Sequence, residues 1–63
     1  MKHGDLVRLT FSENQRGYLV GALAIIQERY SIAGVECASV LVTSGPGAGQ
    51  HMSVALQDMT KLS

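Results

Sequence analysis

Arg16-Gly17-Tyr18-Leu19-Val20-Gly21-Ala22-Leu23-Ala24-Ile25-Ile26-Gln27-Glu28-Arg29-Tyr30 is the stretch that decides the fold, because it is the longest apolar run and lies near the middle of the chain. Its apolar residues include a set at helical spacing, namely Leu19, Ala22, Leu23, Ile26 and Tyr30. Just before it, Ser12 and Gln15 match the capping box that begins many helices. A helix over residues 13–30 would pack across a small sheet, giving a β-α-β-β domain of the α+β class.

Two features of the same stretch favour a strand. Gly17 and Gly21 would each cost roughly 1 kcal/mol relative to Ala inside a helix. No charged residue occurs from Gly17 to Ile26, whereas a surface helix in so small a domain normally exposes a charged stripe. A strand that is buried along most of its length needs no such stripe, and a glycine in a strand marks a bulge or a bend. We therefore expect a long central strand.

The rest of the chain supplies shorter strands and turns. Three strands are predicted, from alternation or from β-branched content, at Leu6–Phe11, Cys37–Thr43 and His51–Gln57. Ser44–Gln50 holds three glycines and a proline, so it forms a loop that joins its flanking strands into an antiparallel hairpin. Asp58–Thr60 suits a single tight turn, and Lys61–Ser63 forms a short last strand or a tail.

This order of elements resembles that of SH3-like small barrels. Gly4–Leu9 resembles their opening strand, Gly21–Tyr30 their bent second strand, and Val54–Leu62 their closing segment of strand, one-turn helix and strand. The combination is also similar to short, mostly uncharacterised proteins of tailed bacteriophages, including phages of marine cyanobacteria. The resemblance implies an all-β fold, a five-stranded antiparallel SH3-like barrel formed by one domain over residues 1–63, and a phage-encoded protein. It carries no established activity across.

The barrel predicts which apolar side chains are inside. Its expected core consists of Val7, Leu9, Leu23, Ile25, Val40, Val42, Val54, Leu56, Met59 and Leu62. Four further apolar residues fall on the opposite faces, namely Leu6, Val20, Ile26 and Leu41. An apolar surplus outside the core often marks a contact with another protein.

Composition restricts the function and the compartment. Five basic residues balance five acidic ones, so the clustered positive excess of most nucleic-acid binders is missing and nucleic-acid binding is disfavoured. The single cysteine cannot form an internal disulfide, which fits a reducing, intracellular setting. Residues 1–5 lack the apolar core of a signal peptide, and the central run is shorter than the ~20 apolar residues of a membrane span. We expect a cytoplasmic protein, in the host cytoplasm if it is phage-encoded, with no membrane partner.

No set of residues predicts catalysis or metal binding. The glycine loop lacks the Lys-Ser/Thr pair of a phosphate-binding P-loop. His3, His51 and Cys37 are not spaced as metal ligands. Cys37 and His51 begin neighbouring strands, whose starts lie at opposite ends of an antiparallel ladder, so they do not form a nucleophile–base dyad. Cys37 is expected to be a small, partly buried apolar residue. We expect no enzyme activity, no cofactor and no metal.

Binding residues are predicted at the two ends of the central run. Arg16, Tyr18, Arg29 and Tyr30 lie there, and Tyr and Arg are the residues most enriched at interface hot spots. The leading hypothesis is a non-enzymatic interaction module that binds a host or virion protein or self-associates. One alternative is a nucleic-acid-binding small barrel. Another is an oligomer that sequesters a small molecule or nucleotide, where Arg16, Arg29 and the glycine loop meet an anion.

Overall fold

The structure, a computed structural model, describes residues 3–10 and 17–62, with the side chain of Tyr18 outside the description. The described residues form five strands: β1 (Leu6–Leu9), β2 (Leu23–Ile32), β3 (Val35–Val42), β4 (His51–Ala55) and β5 (Met59–Lys61). Two single-turn 3₁₀ helices complete the fold, η1 (Gly17–Leu19) and η2 (Leu56–Asp58).

All strand pairs are antiparallel and belong to one sheet of order β4-β3-β2-β1-β5. The prediction of an all-β chain with five antiparallel strands is confirmed. The helical alternative is wrong over residues 17–30, because η1 is a single turn, residues 20–22 belong to neither a helix nor a strand, and β2 begins at Leu23; its first residues, 13–16, lie outside the described part. Closure into a barrel is not confirmed, since β4 and β5 are the two edges of the sheet within the described residues.

The central strand begins beside the end of β1, where backbone hydrogen bonds join the two segments. Gly21 has a φ of 79°, a conformation that residues with a side chain rarely adopt. Its N–H donates to the carbonyl of Leu9 at 2.8 Å, and the Leu9 N–H donates to the carbonyl of Ala22 at 2.9 Å. The chain therefore enters β2 already paired to β1. Farther along β2, the register with β3 shifts between Ile26 and Glu28, which leaves Gln27 as the extra residue of a bulge.

β2 and β3 are joined by the two-residue turn Ala33–Gly34, with φ values of 50° and 81°. Positive φ at both central residues matches the type I′ hairpin turn, whose twist suits that of the flanking strands. The sequence predicts a connection over residues 31–36 with its turn at Gly34. The turn is at this place, but each strand continues closer to it than that prediction allows. The hairpin therefore extends to Ile32 on one strand and Val35 on the other.

The core lies on the inner face of the sheet. It contains Val7, Leu9, Leu19, Ala22, Ala24, Ile26, Ala38, Val40, Val42, Val54 and Met59. The helix η2 contacts both β3 and β5, which are separated by β2 and β1 in the sheet, so the sheet curves around this core. The predictions for Val7, Leu9, Val40, Val42, Val54 and Met59 are confirmed.

The predicted inner face of β2 is wrong. Ala24 lies opposite Val7 and Val42, which are buried, and paired residues of adjacent strands share a face. Ala24 and Ile26 are therefore inside, while Leu23 and Ile25 point outward and are half-buried. A shift of one residue exchanges the two faces of a strand, which is the physical reason for the error.

Two core predictions near the C-terminus also need correction. Leu56 is only partly buried and packs at the border of the core, and Leu62 is 45% exposed. Among the residues expected outside the core, Ile26 is fully buried, which overturns its place in the apolar surplus. Leu6 and Leu41 are half-buried and Val20 is 41% exposed, so these three do lie outside the core.

Candidate functional site

The outer face of the sheet carries a continuous row of apolar side chains. Leu6 lies opposite Ile25, Ile25 lies opposite Leu41, and the Leu62 N–H donates to the carbonyl of Leu6 at 2.9 Å. The row therefore crosses β1, β2 and β3 from the end of β5, and we call it the outer apolar row: Leu62, Leu6, Ile25 and Leu41. All four are half-buried or exposed, so their apolar surface partly faces water.

A second apolar area lies on the outer face of the β2–β3 hairpin. Tyr30 pairs with Cys37, and Ile32 pairs with Val35 next to the turn. Tyr30, Cys37, Ile32 and Val35 form what we call the hairpin face. Ile32 is 59% exposed and Val35 is 49% exposed, although both are large apolar residues. Two such side chains paired directly across a strand ladder form a contiguous patch.

The other side of the hairpin is polar. The Arg29 guanidinium lies 3.2 Å from a Glu36 carboxylate oxygen, and the Ser31 hydroxyl donates to the second carboxylate oxygen at 3.4 Å. These residues lie on the side that continues the inner face, because Arg29 pairs with the buried Ala38. The hairpin thus reverses the usual arrangement, with polar residues on the core side and apolar residues on the outer side.

A polar band separates the two apolar areas. Glu28 pairs with Ser39 on the outer face, directly after the bulge. Beside them, Nδ1 of His51 lies 2.9 Å from Oε1 of Gln27, the extra residue of the bulge. The outer face therefore alternates apolar, polar and apolar along β2, a pattern that suits an extended contact with a partner of mixed character.

An open depression of about 290 Å³ lies beside the hairpin face. It is lined by the turn and start of β3 and by η2, through Gly34, Val35, Glu36, Leu56 and Gln57. Enclosed ligand sites usually measure ~300–1,000 Å³ and bury most of their ligand. An open depression of this size, with Val35 and Leu56 in its wall, suits a single side chain of a partner.

The structure separates the predicted binding residues. Arg16 lies outside the described residues, and Tyr18 lies in η1, before the start of β2. Arg29 and Tyr30 lie near the other end of β2 and, as consecutive strand residues, point to opposite faces. Arg29 holds Glu36, while Tyr30 belongs to the hairpin face. Their role in binding stays a prediction.

Sequence reasoning missed the most exposed apolar pair, Ile32 and Val35. Their segment was interpreted as a connection, so its apolar residues were not assigned to a face. The available signal was one β-branched residue on each side of Ala33–Gly34, Ile32 before it and Val35 after it. This pattern is typical of a two-residue hairpin turn between strands.

The glycine loop, residues 43–50, is fastened to the start of β2. The Leu23 N–H donates to the Ser44 hydroxyl oxygen at 2.8 Å, and the Thr43 N–H donates to the Leu23 carbonyl at 2.8 Å. Three amides later in the loop, those of Ala48, Gly49 and Gln50, donate to backbone carbonyls. Those three N–H groups are thus already used, which argues against a phosphate cradle at this loop.

Cys37 in β3 and His51 in β4 lie far apart, although the two strands are paired. Cys37 pairs with Ala55 and His51 pairs with Leu41, four residues or about 13 Å along β3. The predicted separation of this pair is confirmed, as is the partly buried state of Cys37, whose thiol donates to the Val35 carbonyl at 3.6 Å. Residues 3–10 and 17–62 contain no group of three or more His, Cys, Asp or Glu side chains able to hold a metal ion.

Within the described part of the chain, the structure has no helix with the length and apolar character that crossing a membrane requires. No family model matches the chain, and no curated protein or solved structure was found to be significantly similar to it.

Proposed function

We propose that this chain is a non-enzymatic protein-interaction module whose protein partner covers the outer face of the sheet. The observation that carries the proposal is the reversed hairpin, with Ile32 and Val35 exposed on the outer side and Arg29, Ser31 and Glu36 on the core side. The strand order and the single turn of η2 before β5 support an SH3-like arrangement of this module. The resemblance to small phage proteins makes a host or virion protein the partner we propose.

The energetics of the hairpin support a partner there. Full burial of a Val or Ile side chain stabilises a complex by about 1.5–3 kcal/mol. Ile32 and Val35 have about half of their surface left to bury, so each would contribute about 1 kcal/mol to binding. Tyr30 adds an aromatic ring at the same face, and tyrosine is among the residues most enriched in binding hot spots.

The charges of the described residues favour a protein over a nucleic acid. Arg29 faces Glu36 at 3.2 Å, and the Lys61 ammonium lies 3.6 Å from an Asp5 carboxylate oxygen. Two of the described basic side chains thus already lie beside carboxylates. A nucleic-acid surface needs basic groups that can neutralise phosphates, so this alternative stays disfavoured.

A sequestered nucleotide is also less well supported. The loop amides of Ala48 and Gln50 donate within the loop, that of Gly49 donates to the Val42 carbonyl at the end of β3, and Arg29 is held by Glu36. An anion at either place would have to displace an existing interaction. Among the described Lys and Arg side chains, Arg8 lies on the outer face, opposite Leu23 and Thr60, so a phosphate would find a single guanidinium there beside a mainly apolar surface.

Site-specific photocrosslinking in the native cells tests the proposal. A photoreactive phenylalanine analogue replaces Ile32 in one variant and Ser31 in the control variant. The two positions are neighbours in sequence and both lie within two residues of the turn, but they point to opposite faces of the hairpin. We expect a discrete protein adduct from position 32 and much less of it from position 31.

The Ile32→Lys substitution supplies a second readout, because it adds a charge to the hairpin face at an exposed position. It should abolish the adduct formed from a photoreactive group at Val35 while leaving the melting temperature within a few degrees. Equal adducts from positions 31 and 32, or no protein adduct from either, would overturn the proposal. An adduct of twice the mass of the chain would identify the partner as a second copy.

A further inference from the structure

Within residues 3–10 and 17–62, the edge strand β4 has none of the features that normally keep a sheet edge from pairing. It contains five residues, His51-Met52-Ser53-Val54-Ala55, without Asp, Glu, Lys, Arg or Pro. Its register with β3 is regular over all five pairs. Natural edge strands are usually kept short, charged, bulged or interrupted by proline, because an open edge is a template for another strand.

The opposite edge is different. β5 has only three residues, and Lys61 places a charge at its end. The Lys61 ammonium is half exposed and lies 3.6 Å from Asp5. The charge and the short length both limit pairing with a further strand. The two edges are therefore not equivalent, and β4 is the one open to pairing.

The hydrogen-bond pattern identifies which β4 groups point away from β3. Directly before the strand, the Val42 N–H donates to the Gln50 carbonyl at 2.9 Å, and the Gly49 N–H donates to the Val42 carbonyl at 2.8 Å. Bonded and non-bonded pairs alternate along an antiparallel ladder. Met52 and Val54 therefore direct their backbone groups to β3, and His51 and Ser53 direct theirs outward, away from the sheet.

We propose that the chain forms a symmetric dimer in which β4 pairs antiparallel with β4 of a second copy, centred on Ser53. This register places Ser53 opposite Ser53 and His51 opposite Ala55, so the outward backbone groups meet each other. The two sheets then form one ten-stranded sheet. No charged residue of β4 faces a like charge across the seam, since the strand has no acidic residue, lysine or arginine.

The side chains of β4 suit its own copy. On the inner face, Met52 of each copy lies opposite Val54 of the other in this register. Val54 is only 2% exposed, while Met52 is half-buried at the border of the core. The second copy would cover the remaining surface of Met52 and continue the apolar core across the seam. On the outer face, Ser53 is small and exposed, so it allows close approach.

The dimer would present two hairpin faces in the same direction, because a two-fold axis perpendicular to a sheet keeps its outer faces on one side. Two linked binding faces raise the avidity for a partner that offers two copies of its own site. The dimer does not depend on the proposed function, since the seam at β4 and the hairpin face use different residues. Each can fail without the other.

Sedimentation velocity over roughly 10 µM to 1 mM chain tests the dimer with charge variants. Ser53→Lys places two ammonium groups opposite each other at the seam, and Thr60→Lys adds the same charge to β5 as the control; both positions are exposed. We expect wild type and Thr60→Lys to dimerise alike. Ser53→Lys should shift the transition to roughly tenfold higher concentration or more. Circular dichroism should give the same spectrum for all three.

A mixture of Ser53→Lys with Ser53→Glu tests the register itself. Only a seam that brings residue 53 next to its own copy joins the two charges as an attractive pair, so the mixture should dimerise at concentrations where each variant alone is monomeric. A strictly monomeric wild type would overturn the proposal, and so would a Ser53→Lys variant that dimerises at the same concentration as the wild type, or a mixture that stays monomeric. Dissociation by Thr60→Lys would instead indicate head-to-tail pairing through β5 and would also overturn it.

Discussion

Neighbouring isoleucines in β2 allow a direct test of which face of the strand is inside. Ile26 is fully buried, whereas Ile25 is half-buried on the outer face. Replacing Ile by Ala removes three carbon atoms in each case. At about 0.8 kcal/mol per buried carbon, Ile26→Ala loses about 2.4 kcal/mol of burial, and the cavity that it leaves raises the total to about 3–4 kcal/mol.

Ile25→Ala should cost less. A minor part of that side chain is already in water, and its removal opens no closed cavity, so we expect a loss of about 1.5–2 kcal/mol. A 63-residue domain has a total stability of roughly 3–9 kcal/mol. At the lower end of this range Ile26→Ala unfolds a large share of the molecules at room temperature, while Ile25→Ala retains more of the stability of the fold.

Urea unfolding of the purified variants, followed by far-UV circular dichroism, measures both free energies. Because Ile26→Ala is expected to lie near the limit of measurement, Ile26→Val supplies a milder variant with an expected loss of about 0.5–1.5 kcal/mol. Ile25→Val should change the free energy of unfolding by less than Ile26→Val does. Equal losses at the two positions, or a greater loss at Ile25, would refute the assignment of Ile26 to the inner face.

Four further substitutions probe the turn, the loop and the hairpin. Ala33 adopts a φ of 50°, which favours Asn or Gly, so Ala33→Asn should raise the free energy of unfolding by about 0.5–1 kcal/mol. Gly34→Ala should lower it by about 1 kcal/mol or more, because Gly34 has a φ of 81°. Thermal melts check both signs. Ser44→Ala removes the hydroxyl that accepts from the half-buried Leu23 N–H, so it should lower the free energy of unfolding in urea by about 1 kcal/mol. The exposed control Ser53→Ala, measured at concentrations where the chain is monomeric, should change it little. Glu36→Gln breaks an exposed ion pair and should shift the free energy of unfolding by no more than about 0.5 kcal/mol, so a loss of several kcal/mol in the same assay would contradict the exposed position of the pair.

The sequence by itself determined where most of the strands lie. It predicted the tight turn at Asp58–Thr60, however, and the structure places the turn at Leu56–Asp58 and a strand from Met59. β-branched content predicts β3, alternation predicts β1 and β4, and glycine and proline predict the loop between β3 and β4. These signals are local, because backbone preference and turn chemistry act within a few residues. The strand state of the central run also followed from its own residues, through Gly21 and the missing charges.

The candidate site depended on information that no local pattern contains. From Leu19 to Ile26 the residues are apolar or glycine, so alternation cannot tell one face of β2 from the other. The pairing of Ala24 with Val7 and Val42 decided that Ile26 is inside and Ile25 outside. Those partners are separated from Ala24 by more than a dozen residues along the chain, so only the tertiary structure brings them together.

The same physical reason applies to the hairpin beyond the bulge. Arg29 and Tyr30 were predicted to act together, but alternation along a strand points them to opposite faces. The extra residue Gln27 resets the alternation, so that Tyr30 and Ile32 continue the outer side of the sheet. Local composition determined where the strands are, and long-range register determined which of their side chains are left for a partner.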